Sequence, residues 1–104
     1  VDQDYVKAMS LLKKAFYAGA KRAGSIIGLM YVKGHGVNKD YGEAASWWHK
    51  AAKAGSESSQ YGLGMLYGRG WGVEKDRDRA IYWLQKSANQ GFQKAQAMLN
   101  KLNR

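Results

Sequence analysis

The sequence predicts an all-α solenoid in which about three helix pairs stack on one another. The segment 28–40, GLMYVKGHGVNKD, returns 36 residues later at 64–76 as GMLYGRGWGVEKD. A fixed period of this length is typical of repeat proteins built from one supersecondary unit. Gly19, Gly55 and Gly91 also lie 36 residues apart, each after a helical pattern, and the chain has no proline. Glycine therefore ends the predicted helices, because it adopts a left-handed backbone without strain.

One kind of predicted helix begins near Asp4, Asp40 and Asp76. Aspartate accepts hydrogen bonds from the free amides of a first helical turn, and Asp40 with Glu43 has the spacing of a capping box. Apolar residues then recur at helical spacing, in the second copy at Ala44, Trp47, Trp48 and Ala51. We expect helices at 4–17, 40–53 and 76–89, with Trp47, Trp48 and Trp83 in the core.

A second kind of helix is predicted at 22–33, 58–69 and 94–103. Its small residues at positions 23, 28, 59 and 64 suit close contact between helices. No linker or low-complexity segment interrupts the pattern, so we expect six antiparallel helices in a single domain over residues 1–104.

The repeated positions resemble the Sel1-like repeat family, a relative of the tetratricopeptide repeat. In this chain the pattern reads Gly19, Ala23, Ile27, Gly28, Tyr31, Gly34, Gly36, Val37, Asp40, Ala44, Trp47, Lys50, Ala51, Ala52 and Gly55. The next copy follows in register, and the resemblance covers essentially the whole chain. The departures are Ser59 and Ser87 in place of alanine, and Arg77 in place of an aromatic residue.

The resemblance implies a right-handed α/α superhelix that serves as a protein-binding scaffold or adaptor, and a bacterial source. It implies no shared catalytic residue. It favours an exported or periplasmic location over a cytoplasmic one, although the sequence itself does not fix the compartment.

The chain carries a net charge of +9, distributed as +4, +1 and +4 over residues 1–36, 37–72 and 73–104. A basic excess favours an acidic partner and steers its approach. The nearly neutral middle unit disfavours nucleic acid, which would need a continuous basic track. No apolar run approaches the ~18 residues of a transmembrane segment.

Residues for catalysis, metals or cofactors are not evident. The chain has no cysteine, and its two histidines, His35 and His49, lack the spacing of metal ligands. Asp40 and Asp76 are explained by capping. The two Gly-x-Gly turns follow helices, whereas a phosphate-binding fingerprint needs a preceding strand. We expect no enzyme activity, no metal and no cofactor.

Partner-binding residues are expected on the helices at 22–33 and 58–69, which line the concave side, and in the Gly-x-Gly turns. Each helix closes on a cation, and Trp71 is expected to be exposed, although it could instead fold over the adjacent repeat. The predicted residues are Ser25, Leu29, Lys33, His35, Tyr61, Met65, Arg69 and Trp71. Other residues on the same face that we do not expect packing to require are Gly24, Val32, Gln60, Gly68 and Gln96.

The leading hypothesis is therefore a non-enzymatic protein-binding module, with Tyr61, Met65 and Trp71 as anchors. One alternative is an immunity protein that neutralises a secreted bacterial toxin. Another is a basic module that binds an anionic polymer such as nucleic acid, with affinity that falls as salt rises. Apolar residues near the two ends of the solenoid also predict self-association; they are Val6, Leu12, Phe16, Met98, Leu99 and Leu102.

Overall fold

Six α-helices form the protein in the computed structural model, which describes residues 3–102. They are α1 (Gln3–Tyr17), α2 (Lys21–Lys33), α3 (Tyr41–Lys53), α4 (Glu57–Arg69), α5 (Arg77–Asn89) and α6 (Gln93–Leu102). Consecutive helices pack against each other, and α2 also contacts α4 across the repeat. The all-α helical-repeat solenoid predicted from the period is thus confirmed, and its extents are 45 × 25 × 18 Å.

The helix starts differ from the predicted positions by one residue. Asp40 and Asp76 precede α3 and α5 as N-caps with extended backbones, and each carboxylate accepts a backbone N–H bond at 3.0 Å. Asp4 lies in the first turn of α1. Ser56 is the N-cap of α4, a role that was not predicted from the sequence. The predicted end of the last helix at residue 103 lies outside the described residues.

The capping box at Asp40 is only half formed. The Asp40 side chain accepts from the amide of Glu43, but the Asp40 amide donates to the carbonyl oxygen of Tyr31 at 3.0 Å. The same bond joins Asp76 to Tyr67 in the next copy. In a complete capping box a glutamate side chain accepts the hydrogen bond of the N-cap amide. Here that amide instead donates to the preceding helix, so it holds each turn against that helix.

The core consists of three hydrophobic clusters along the solenoid: the first among α1, α2 and α3, the second among α3, α4 and α5, and the third between α5 and α6. The predicted core tryptophans Trp47, Trp48 and Trp83 are all buried. Small residues let the helices approach the Trp48 indole. A Cβ added to Gly62 would lie 2.7 Å from Trp48 Cε3, and one added to Gly28 would lie 2.6 Å from Trp48 Cε2.

The residues predicted to leave apolar ends exposed are mostly packed. Leu99 is buried with Leu84 and Ala95, and Leu12 and Phe16 pack against the first core cluster. Val6 remains exposed. The expectation of exposed ends was therefore wrong for Leu99, because α6 turns this residue onto α5.

Candidate functional site

An open groove of about 340 Å³ runs between α2 and α4, and we refer to it as the α2–α4 groove. Ser25 and Leu29 on α2 face Tyr61 and Met65 on α4, and each of these pairs is related by the 36-residue repeat. Residues four apart lie on one face of a helix about one turn from each other. The repeat therefore produces two matching rows of side chains. The remaining lining residues are Ile26, Val32, Tyr41, Trp48, Ser58, Gly62, Leu66, Arg69, Trp71, Phe92 and Lys94.

One end of the α2–α4 groove is formed by aromatic and cationic groups. The ring of Trp71 lies 5.1 Å from that of Tyr41, and the Arg69 guanidinium lies 4.7 Å from the Trp71 ring. Trp71 is 42% exposed. Both expectations for this residue thus hold in part, because the indole rests on the preceding repeat and keeps a free surface.

The turn that carries Trp71 is fixed by its backbone. Gly70 is in the left-handed conformation with φ 71°, and its amide donates to the carbonyl of Leu66 at 2.8 Å. The Trp71 amide donates to the same carbonyl at 3.1 Å. The corresponding bonds from Gly34 and His35 to Met30 measure 2.7 and 3.0 Å, so both turns have the same construction.

Hydroxyl groups lie at the opposite end of the groove. The Oγ atoms of Ser25 and Ser58 are 2.7 Å apart, and the Trp48 indole N–H donates to the Ser25 carbonyl at 2.9 Å. Tyr61 packs on Phe92 at 5.3 Å between ring centroids, and Lys94 lies nearby on α6. Tyr61 and Arg69 are two turns apart on α4, which separates the ends of the groove by about 12 Å.

Six of the eight predicted site residues are brought together in this groove: Ser25, Leu29, Tyr61, Met65, Arg69 and Trp71. Lys33 and His35 line an adjacent groove of about 280 Å³ beside α1, which shares Ile26 and Leu29 with the first groove. His35 lies against Tyr5 with ring centroids 5.0 Å apart, as Trp71 lies against Tyr41. Among the described residues, neither lining contains an Asp or Glu.

Two residues that were predicted to be available to a partner, Gln60 and Gly24, are instead buried between helices. Gln60 is 4% exposed; its amide donates to the Ala52 carbonyl at 3.1 Å and its Oε1 accepts from Gln90 at 3.0 Å. Gly24 is buried, and an added Cβ would lie 2.7 Å from the Cβ of Ala51. The expectation was wrong here because α4 and α2 each contact helices on more than one side.

Several lining residues were missed by sequence reasoning, notably Tyr41, Trp48, Phe92 and Lys94. Trp48 is predicted to be a core residue only, but in the structure it is buried and also lines the groove. Tyr41 could have been found, because it stands 36 residues after Tyr5 and directly follows a capping aspartate.

His49 occupies a different depression, between α3 and the second Gly-x-Gly turn, with Tyr67 and Val73. Its pKa is lowered, first by burial and then by the positive charges of Lys53 and Arg79. The pKa of Tyr31 is raised by burial and by the nearby Glu43 and Asp40 carboxylates. Among residues 3–102, no three His, Asp or Glu side chains cluster as metal ligands would.

The repeated helix pairs and the lateral groove define a helical-repeat protein. The Sel1 repeat family matches residues 1–19, 23–56 and 57–92, and the chain belongs to this family. The Sel1-like repeat fold is a protein–protein interaction module, and Sel1 repeat scaffold proteins are generally non-enzymatic. No helix among residues 3–102 is long and apolar enough to cross a membrane.

Solved structures of bacterial proteins resemble this one, whereas no curated protein matches it. A Sel1 repeat protein from Oxalobacter formigenes is 34% identical, with a TM-score of 0.89 over 95% of this chain and 41% of its own. A protective antigen with an SLR fold, present in uropathogenic Escherichia coli strains, is 36% identical, with a TM-score of 0.76 over 80% of this chain and 18% of its own.

Helicobacter pylori cysteine rich protein B shares the fold at 24% identity, with a TM-score of 0.85 over 94% of this chain and 72% of its own. The chain thus spans less than half the length of the Oxalobacter protein and less than a fifth of the Escherichia coli antigen.

Proposed function

We propose that this chain is a non-enzymatic module that binds a partner protein through the α2–α4 groove. The observation that carries the proposal is the pairing of two rows of side chains in an open groove whose lining is apolar in the middle and basic at its ends. Small-molecule sites in proteins are concave and mostly apolar with a few placed polar groups, and apolar grooves also hold short segments of partner proteins.

A short segment of the partner fits this groove better than a folded surface does. The volume of about 340 Å³ is at the lower end of the range for ligand clefts, so it takes a few side chains. The distance of about 12 Å between the ends corresponds to about four residues of extended chain. The segment would lie along the two rows and place apolar side chains between them.

The individual residues have distinct roles in this proposal. Leu29, Tyr61 and Met65 provide the apolar surface, and Met65 can adapt its shape to different side chains. Trp71 is the anchor, since tryptophan is enriched at interface hot spots. Ser25 offers a hydroxyl to the partner backbone at the far end.

The charged residues favour an acidic partner. Arg69 and Lys94 lie at the ends of the groove, and Lys33 lies with His35 in the adjacent groove. Complementary charge raises the rate of encounter more than it raises affinity. Neutralising a secreted toxin would be one use of such binding. An anionic polymer is less well supported, because its contacts would need cations along the groove, where the lining is apolar.

A peptide-display selection tests the proposal. Peptides would be selected against the wild-type protein and then measured on the Tyr61→Ala/Trp71→Ala double variant. We expect at least tenfold weaker binding with unchanged helical circular dichroism. The matched control is Tyr17→Ala/Tyr82→Ala, which removes two exposed aromatic residues, 69% and 54% accessible, that lie outside the groove. Equal binding by both double variants would contradict the proposal.

A further inference from the structure

The Arg69 guanidinium is held in place by a column of aromatic rings. It lies 4.7 Å from the centroid of the Trp71 ring. The Trp71 ring in turn packs on Tyr41, with the two ring centroids 5.1 Å apart. The backbone of Trp71 is fixed by its bond to Leu66. A planar guanidinium stacked in this way loses little freedom when its N–H groups bind a ligand.

The donors of Arg69 have no acceptor within the part of the chain that the structure describes. Neighbouring arginines differ: Arg77 donates to the carbonyl of Leu102, and Arg79 pairs with Asp76 at 3.6 Å. Arg69 has only its contact with the Trp71 ring, and the lining of the groove around it contains no carboxylate. The N–H groups of a guanidinium form a planar fork that matches the geometry of a carboxylate. When these groups have no other acceptor, they can bind the carboxylate through two parallel hydrogen bonds.

We propose that Arg69 is the binding site for one aspartate or glutamate side chain of the partner segment, and that Trp71 is its positioning residue as well as an anchor. This inference rests on the proposed function. It specifies the segment: an acidic residue at the Arg69 end, with apolar residues beside it that lie over Met65 one turn earlier. Lys94 at the other end is a point charge without an aromatic support and adds only steering.

A side-chain carboxylate fits better than a chain terminus, because Arg69 also borders a second depression over which the partner chain can continue. Arg69 and Met65 also line a further depression with Leu84, Met98 and Leu102, so the partner chain can continue past the arginine. An internal acidic residue is therefore accommodated with chain on both sides.

The test uses pooled heptapeptides with two central apolar positions followed by one fixed position. In the acidic pool this position is Asp or Glu, in the amide pool it is Asn or Gln, and a third pool ends at the apolar residue with a free carboxylate. Both termini of the first two pools are blocked. We expect the wild-type protein to bind the acidic pool about tenfold more tightly than the amide pool, and the third pool no better than the amide pool.

The variants distinguish the effect of the planar Arg69 guanidinium from the effect of its positive charge. Arg69→Lys keeps the charge but loses the planar fork, and we expect it to lose most of the preference for the acidic pool while it still binds the amide pool. Arg79→Lys makes the same substitution at an arginine outside the groove and should keep the preference. Trp71→Ala should reduce the preference with Arg69 still present, and Trp71→Phe should restore it. The ¹⁵N NMR signal of the Arg69 Nε–H should move only with the acidic pool.

The outcomes distinguish the two proposals. Equal binding of the acidic and amide pools, a preference kept by Arg69→Lys, or a preference for the free terminus would overturn the Arg69 site and leave the groove as a binding site. Binding of no pool, or binding that Tyr61→Ala/Trp71→Ala does not weaken, would overturn the groove and the Arg69 site together.

Discussion

Trp71 packs on Tyr41 with ring centroids 5.1 Å apart, and 36 residues earlier His35 packs on Tyr5 at 5.0 Å. The two pairs occupy equivalent places in successive repeats, so the repeat specifies the support and leaves the supported ring variable. The variable position lies between two glycines in each turn. Its side chain is consequently presented at the groove on a backbone that does not depend on its identity.

Trp71 should dominate the response of the protein's fluorescence to quenchers. It is 42% exposed, whereas Trp47, Trp48 and Trp83 are buried. Iodide should strongly quench one component of the tryptophan fluorescence, that of Trp71, because the neighbouring Arg69 cation attracts the anion. Trp71→Phe should remove that component. A wild-type protein quenched no more than the variant would contradict the exposed position of the indole.

The flanking glycine Gly72 should tolerate substitution far less than Trp71 does. Gly72 has φ 73°, and an added Cβ would lie 2.6 Å from the backbone nitrogen of Gly42. We expect Gly72→Ala to lower the free energy of unfolding by at least about 2 kcal/mol through strain and backbone contact. Trp71→His, which copies the other repeat, should cost about 1 kcal/mol or less. Urea denaturation measures both, and similar costs would argue against a rigid turn.

Two glycines of α4 should respond to alanine in opposite directions. At Gly62 the new methyl group would lie 2.7 Å from the ring of Trp48, and we expect a loss of about 1–3 kcal/mol from overpacking. At Gly68 the nearest atom would be 3.8 Å away, so alanine should add about 0.5–1 kcal/mol through its higher helix propensity. The difference in thermal midpoint between the two variants checks the packing of α4 on α3. Equal midpoints would contradict it.

The two serines that replace repeat alanines should also differ in sign. Ser59 is fully buried, and its hydroxyl has no hydrogen-bond partner among the described residues. Ser59→Ala should therefore raise the free energy of unfolding by about 1 kcal/mol. Ser87 Oγ donates to the Glu57 carbonyl at 2.7 Å, so Ser87→Ala should cost about 1 kcal/mol. Chemical denaturation of both variants provides the comparison, and a destabilised Ser59→Ala protein would show that its hydroxyl has a partner.

The lowered pKa of His49 predicts a loss of stability in acid. Its folded value lies below the ordinary value of about 6.5, because burial and the charges of Lys53 and Arg79 oppose protonation. As the pH falls below about 6.5 the unfolded chain takes up the proton first, so the free energy of unfolding decreases until the folded pKa is reached.

Denaturation of wild type and His49→Gln at pH 7.5 and 5 isolates this contribution from those of the carboxylates. We expect the variant to lose less stability on acidification. Lys53→Gln should raise the His49 pKa in an NMR titration. A wild type and a His49→Gln protein with the same pH dependence would contradict the shift.

The fold and most of the candidate site follow from local patterns. The 36-residue period places side chains at equal depth in successive helices, and the four-residue spacing along each helix selects one face. These two rules are enough to bring Leu29, Tyr61 and Met65 together. α3 and α5 begin one residue later than predicted, because Asp40 and Asp76 adopt extended N-cap backbones outside the helices that they precede.

Local patterns did not predict which residues of α4 lie in the core and which line the groove. Gln60 and Tyr61 are adjacent, yet Gln60 is buried in a hydrogen-bond network and Tyr61 lines the groove. α4 packs against α2, α3 and α5, so much of its circumference is occupied and polarity no longer indicates which side faces solvent. The way in which the helices pack decides such positions, and the close approach of α2 and α4 to Trp48 requires glycine at positions 28 and 62.

The Gly-x-Gly turn has a consequence for how recognition could diversify. Its hydrogen bonds use only backbone atoms, and its left-handed residues are glycines, so one codon can change the displayed side chain without a compensating change elsewhere. In an array of such repeats, each turn would supply one independently adjustable contact at a spacing set by the stacking. Selection or protein engineering could then tune a row of these contacts one at a time, much as substitutions are accepted in antibody loops on an unchanged framework.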